Sequence, residues 1–265
     1  MELKNKIVLI FGAAGFMGSE LSKTLLNHGA ECILIDNDAT KLNKLKHKLR
    51  NFDPKKIIFK RIDISKEKQI SLLKIYLKKK IKKLDGLVNL VANDPKIKNK
   101  TQQFNKFENT NLSDFQKDLK IGLTSMMIVT KHMIELLKKS KSASVVNMAS
   151  DLSIISPDHR IYSNKKKDFN SKPISYSVVK HGVIGLTKYL ATYYGSQNIR
   201  FNCISPGGIM YNQNKSFQKK IKRLIPLNRM ANIDELNSAL IYFLSDNSSY
   251  TTGINMVIDG GRSTW

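Results

Sequence analysis

Cysteine is nearly absent from this chain: 265 residues carry two, Cys32 and Cys203. Each sits inside a short apolar run, and together they make neither a disulfide framework nor a metal-site spacing, which fits a reducing compartment. Proline is scarce too, at six residues, and the fourteen glycines do not cluster into a linker. No segment repeats. The expectation is a single domain over 1–265, long enough for a substantial core. No run approaches the ~20 apolar residues of a membrane span, and no leader pattern precedes the first apolar run, Ile7 to Phe11. A cytoplasmic protein without a membrane partner is expected.

Acidic residues are the other shortage, 21 against 45 Lys and Arg, for a net charge of +24. That excess does not read as a nucleic-acid footprint. The lysines are spread along the whole chain and lysine far outnumbers arginine. The densest group, Lys78, Lys79, Lys80, Lys82 and Lys83, ends a predicted helix, where cations suit the dipole. Aromatics are not interleaved at the spacing a single-strand platform needs. The charge suits attraction of an anionic small molecule instead.

What the chain does have is an alternation of short β-rich runs and helical periodicity. Lys6 to Phe11 reads as a strand, Gly12-Ala13-Ala14-Gly15-Phe16-Met17-Gly18 as a turn, and Leu21, Leu25 and Leu26 as the apolar face of a helix ending at Gly29. Strand, glycine turn and helix together bring backbone close to a pyrophosphate and aim a helix N-terminus at its charge. The next strand, Glu31 to Ile35, ends on Asp36. An acidic side chain about twenty residues past the glycine turn can bond both ribose hydroxyls of an adenosine and repels a 2′-phosphate. Asp36 therefore points to NAD, unless it merely caps the helix over Ala39 to Arg50. Asn37 beside it adds no positive charge. A third strand, Lys56 to Ile62, leads to Asp63-Ile64-Ser65, where Asp63 can cap the next helix, touch an adenine, or do both.

A helix over Lys66 to Lys83 and a nearly continuous apolar strand, Asp85 to Ala92, follow. A long helical pattern covers Asn111 to Lys139. A fifth strand, Ser142 to Met148, delivers Ala149-Ser150 at its C-terminal end, the edge where open α/β sheets bind ligands. Asp151 to Pro173 shows no periodicity and carries His159, Arg160, Tyr162 and Lys165 to Lys167. Loops this long in a compact domain are usually functional. A sixth strand, Ile199 to Ile204, leads to Ser205-Pro206-Gly207-Gly208-Ile209. Short helices near Ser216 to Leu224 and Ile233 to Leu244 precede a last strand, Asn255 to Ile258. The pattern predicts an α/β fold, a doubly wound parallel sheet of about seven strands with helices on both faces.

The centre of the chemistry is Ser175-Tyr176-Ser177-Val178-Val179-Lys180. Tyr and Lys four apart lie one turn from each other on one helix face. A phenol is a poor base at neutral pH, but an ammonium held close favours the phenolate. A Tyr tuned this way can take a proton from an alcohol or give one to a ketone.

Taken in order, the glycine turn, the acidic strand end, Asp63-Ile64, Asp85-Gly86-Leu87-Val88-Asn89, Ser150, Tyr176-x-x-x-Lys180, Ser205-Pro206-Gly207 and the tail Asp259-Gly260-Gly261 resemble the short-chain dehydrogenase/reductase (SDR) family over nearly the whole chain. The resemblance implies a Rossmann-type fold, an NAD cofactor, no metal, and a homo-oligomer, dimer or tetramer, formed through the helix carrying Tyr176. It implies Tyr176 as general acid/base, Lys180 as its partner and a ribose ligand, and Ser150 as the holder of the substrate oxygen. Gly12, Gly15, Phe16, Met17 and Gly18 would form the pyrophosphate turn. Asp36 would bind the ribose, Asp63 and Ile64 would border the adenine, and Pro206, Gly207 and Ile209 would flank the nicotinamide.

The chain departs from the family at four places. Phe16 stands where the family has glycine. Leu90-Val91-Ala92 replaces a more polar run. Gly122 stands where a central helix carries a catalytic Asn, whose backbone carbonyl a glycine still supplies while permitting a helix irregularity. Ser150 and Tyr176 are about twice as far apart as usual, so the substrate loop is enlarged. That loop, Ile204 to Ile209 and the aromatic C-terminus are similar to a branch of oxidoreductases in flagellin modification and nonulosonic-acid synthesis. The expectation is an NAD-dependent oxidoreductase interconverting a secondary alcohol and a ketone on a sugar or sugar nucleotide; the rival is a non-catalytic dinucleotide-binding regulator. Arg160 is expected on a lid, contacting an anionic group of the substrate.

Overall fold

The computed structural model describes residues 2–93, 106–162 and 171–265. Seven parallel strands form one sheet: β1 (Ile7–Phe11), β2 (Glu31–Asp36), β3 (Ile57–Arg61), β4 (Gly86–Asn89), β5 (Ala143–Met148), β6 (Ile199–Pro206) and β7 (Asn255–Ile258). Their spatial order is β3-β2-β1-β4-β5-β6-β7. The order reverses between β1 and β4, and the strand ends diverge there into a crevice at the C-terminal edge.

Alternation along the strands fills both faces. Val8, Ile10, Cys32, Leu34, Val88, Val146 and Ile204 point to one side. There they meet Leu21 and Leu25 of α1 (Phe16–Asn27), Leu45 of α2 (Ala39–Lys48) and, toward the far end of the chain, Leu240 and Phe243. Leu9, Phe11, Ile33, Ile35, Leu87, Val145 and Phe201 point to the other. They meet Leu73 and Leu77 of α3 (Glu67–Lys80) and, further along, Val129, Met133 and Ala191. Strands buried on both faces must be apolar throughout, which is why the central runs read as continuous rather than alternating.

The long helix expected over Asn111 to Lys139 is interrupted. It comprises α4 (Leu112–Leu119), a single π turn over Lys120–Thr124 with Gly122 inside it, and α5 (Ser125–Leu137). The Ser125 hydroxyl donates to the Lys120 carbonyl at 2.6 Å, satisfying an oxygen of the widened turn. A Cβ on Gly122 would come 2.6 Å from Cγ1 of Val179 on α6 (Ile174–Tyr194), so the backbone passes against that valine with no room for a side chain. Past β6 lie α7 (Lys215–Lys222) and α8 (Asn237–Leu244).

Candidate active site

Gly12, Gly15, Asp36, Asp63 and Ile64, all singled out in the sequence, come together at the C-terminal edge of the sheet. A cavity of about 360 Å³ opens there, lined by Gly12 and Gly15 of the glycine turn, Asp36 and Asn37 after β2, Asp63 and Ile64 after β3, and Leu90 to Asn93 after β4. The turn is tight because α1 starts against it: a Cβ on Gly18 would meet the Gly12 carbonyl oxygen at 2.0 Å. Phe16 and Met17 open α1.

Asp36 is not the cap of α2. That role belongs to Asp38, whose carboxylate accepts from Lys41 N–H at 3.0 Å. Asp36 instead spans the crevice wall, taking Ala14 N–H on one oxygen at 3.0 Å and Asp38 N–H on the other at 3.1 Å. Each carboxylate oxygen has a second lone pair, so acceptor capacity remains for a diol. Asp63 closes its own turn. Burial works against its charge, yet the Ser65 hydroxyl at 2.7 Å and backbone N–H at 3.0 Å leave its carboxyl below the ordinary value. A glycine-containing turn, a carboxylate at the end of the neighbouring strand and a cavity on the scale of small-molecule sites together fit a dinucleotide. One lining residue was not anticipated: Lys41 borders the same cavity, its ammonium 3.4 Å from Asp38.

Further along the edge, Tyr176 and Lys180 occupy one face of α6. The Lys180 ammonium is buried, donates to the Met148 carbonyl at the end of β5 at 2.8 Å, and lies 5.7 Å from the centre of the Tyr176 ring. A second cation, Lys172, stands 4.0 Å from the same ring centre. Ser150 lies two residues past β5 and is buried, its hydroxyl donating to Asp151 at 2.9 Å. The start of α6 is pinned from α4: Ser175 donates to the buried Asp118 at 2.5 Å, and Asn93 of the cavity donates to the other oxygen at 2.6 Å. Pro206 ends β6, Gly207 donates to the Ile258 carbonyl at 2.9 Å, and Ile209 bridges to Ala231.

With this arrangement in view, the likeness to known proteins is decisive. The family model for enoyl-(acyl carrier protein) reductase matches residues 12–263.

The chain belongs to the short-chain dehydrogenase/reductase family.

Among SDR relatives, the post-translational flagellin modification protein A of Campylobacter coli is 27% identical over 259 residues, covering 98% of each chain. A crystal structure of a short-chain dehydrogenase from Leptospira borgpetersenii with bound NAD+ is 31% identical, with a TM-score of 0.84, covering 99% of this chain and 94% of that one. A gluconate 5-dehydrogenase from Burkholderia cenocepacia, solved with NADP and tartrate, shares the fold at 18% identity and a TM-score of 0.83, covering 100% of this chain and 97% of that one.

Two features of this SDR escaped the sequence reading. Phe16, in the place of a glycine, sets its ring centre 4.2 Å from that of Tyr211, tilted by 33°, on the segment after β6, so the turn and that segment touch across the crevice. The enlarged loop is also anchored over its described part. Ile161 packs against Ile221, Ile225 and Met230, and Tyr162 lies 5.7 Å from the Phe217 ring of α7. Lys165 to Lys167 lie outside the described residues. Arg160 is largely solvent-facing, and its fork is held by Asp158 at 2.9 and 2.7 Å. The pairing, chiefly through those hydrogen bonds, holds the Asp158 carboxyl below its usual range. An anion reaching Arg160 must compete with that carboxylate.

Proposed function

We propose that this SDR is an NAD-preferring oxidoreductase that interconverts a secondary alcohol and a ketone on a sugar or sugar-nucleotide substrate. The observation carrying the reading is the cluster at the end of β5: Ser150 two residues past the strand, and Lys180 tied to the Met148 carbonyl with Tyr176 one helical turn away. In the proposed step, Tyr176 takes the hydroxyl proton from the alcohol or returns it to the ketone oxygen. Lys180 favours its phenolate electrostatically, and Ser150 holds the substrate oxygen. The nicotinamide, when bound, accepts or delivers the hydride. Gly12, Gly15, Phe16, Met17 and Gly18 would seat the pyrophosphate, Asp36 the ribose, Asp63 and Ile64 the adenine, and Pro206, Gly207 and Ile209 the nicotinamide.

NAD preference rests on Asp36, whose charge opposes a 2′-phosphate, while the ammonium of Lys41 is drawn toward Asp38. The sugar assignment draws support from the flagellin modification relative and from the enlarged loop. Exposed Ile174, Val178, Tyr189 and Tyr193 on α6 and Met127 on α5 support a homo-oligomer paired through those helices. Among the described residues no helix is long and apolar enough to cross a membrane. A screen of sugars and sugar nucleotides with NAD, followed by NADH absorbance, tests the reading. Turnover of a polyol or sugar nucleotide is expected. A protein that binds NADH tightly yet turns over no alcohol or ketone would be the non-catalytic binder instead.

A further inference from the structure

Asp151 and Arg262 form an ion pair at 2.7 Å with side chains only 4% and 5% exposed. A pair buried this deeply is favourable only when the remaining hydrogen-bonding capacity is also met. Here it is met through Ser150. One Asp151 oxygen takes the Arg262 guanidinium. The other takes Leu152 N–H at 2.8 Å and the Ser150 hydroxyl at 2.9 Å. A carboxylate only accepts, so Ser150 is the donor in that bond. Leu152 N–H also reaches Ser150 Oγ at 3.2 Å. The Ser153 hydroxyl in turn binds the Ser150 carbonyl. Two of the three directions open to the Ser150 oxygen are therefore spoken for, and one lone pair is left.

Arg262 comes to this point from the far end of the chain. Gly260 and Gly261 are both left-handed, at φ +66° and +88°, and turn the backbone inward after β7. The Asp259 carboxylate locks the turn by accepting from Gly261 N–H at 2.9 Å and Ser263 N–H at 2.7 Å.

We propose that Asp151 is a positioning residue for Ser150, and that Arg262 is the charge partner that keeps its carboxylate buried beside that hydroxyl. Arg262 holds the carboxylate and the carboxylate holds the Ser150 hydroxyl, fixing the place from which that hydroxyl turns its proton to the substrate oxygen. This rests on the reading of Ser150 as the holder of the substrate oxygen.

Two double variants test it, each removing both charges so that none is stranded. D151N/R262M keeps an acceptor for the Ser150 hydroxyl; D151L/R262M removes it, with D151A/R262M in its place if the leucine does not fold. Positioning predicts that D151N/R262M stays within about threefold of wild-type kcat, whereas the acceptor-free variant loses about tenfold or more, since small misplacements at a reacting centre are costly. NADH affinity should stay within about twofold in both. Crystal structures of the two read the geometry without turnover: Ser150 Oγ should keep its place in the first and leave it in the second. Wild-type kcat with an unmoved Ser150 in the acceptor-free variant overturns the proposal, as does equal loss of kcat in both with Ser150 unmoved. If wild type turns over no alcohol or ketone, it is the functional reading that fails, and the Ser150 position in the two crystal structures still decides the role of the pair.

Discussion

The two halves of the sheet's C-terminal edge are held together on different length scales. Around β1, β2 and β3 the polar contacts are short in sequence: Ala14 to Asp36 spans 22 residues, and Asp63 to Ser65 spans two. Around β5 and β6 they are long: Ser175 reaches Asp118 across 57 residues and Arg262 reaches Asp151 across 111. The first half is a local device repeated wherever a strand, a glycine turn and a helix follow one another. The second is assembled only when the whole sheet has closed. Cofactor binding should therefore survive damage that abolishes turnover, and the two can be separated by mutation.

The largest separation is expected at Tyr176. Tyr176→Phe deletes the hydroxyl alone, so kcat should fall by roughly 100-fold or more while the NADH dissociation constant is unchanged. Stopped-flow fluorescence for binding and steady-state NADH absorbance for turnover measure both. Loss of NADH binding in this variant would dissolve the distinction between the halves.

Next in size is the contact between the π turn and α6. Gly122→Asn places a Cβ against Val179 and should destabilise the fold by about 1–3 kcal/mol, as overpacking does. Val179→Ala in the same chain should recover most of the loss. Thermal unfolding of the two variants checks this, and equal melting temperatures for single and double variants would show that the packing does not couple the helices.

Asp36→Ala sharpens the comparison from the other side. It should narrow the preference for NADH over NADPH by about tenfold, roughly 1.4 kcal/mol, with kcat nearly unchanged. Lys41, bordering the same cavity, gives the altered site a cation for the 2′-phosphate. Dissociation constants for the two cofactors measure it, and an unaltered ratio would remove Asp36 from the discrimination.

The last effect, absent at neutral pH, concerns Cys203 in β6. Burial pushes its thiol up to about 11, against its hydrogen bond to Thr187 and the charge of Lys180. The folded thiol then keeps its proton while an unfolded one ionises from about 9. Stability should be unaffected below pH 9 and decline gently between 9 and 11. Denaturant melts of wild type and Cys203→Ala across that range should converge at the upper end.

The same contrast explains what could be read from residues alone. Strand, glycine turn, helix and acidic strand end are neighbours in sequence, so Gly12, Gly15, Asp36 and Asp63 could be placed on one cavity before any coordinates. Tyr176 and Lys180 are one helical turn apart, and helical periodicity sufficed for them. Periodicity could not reveal that the helix over Asn111 to Lys139 breaks, because the apolar spacing runs on through a turn that widens by one residue at Gly122, packed against Val179 of another helix. Nor could it pair Arg262 with Asp151 or Phe16 with Tyr211: nothing local in Gly261-Arg262-Ser263 marks an arginine that turns inward. Arg160 illustrates the opposite limit. An arginine in a substrate-facing loop suggested an anion, yet a carboxylate two residues away occupies its fork.

A π turn holds one residue more than the α-helical turn it replaces, so Lys120–Thr124 acts as a phase shift in an otherwise continuous rod. Each residue advances a helix by about 100°. The α4 segment is thereby rotated by about that angle relative to α5, which lets α4 present Asp118 to α6 while α5 presents Val129 and Met133 to the sheet. Deleting one residue within the turn would give a smoother helix with better internal hydrogen bonding. It would also swing Asp118 a quarter-turn away from Ser175 and from the residue next to it, Tyr176. The irregularity therefore works as a keyed joint, and a chain regularised at this point would fold more simply while losing its grip on the start of α6.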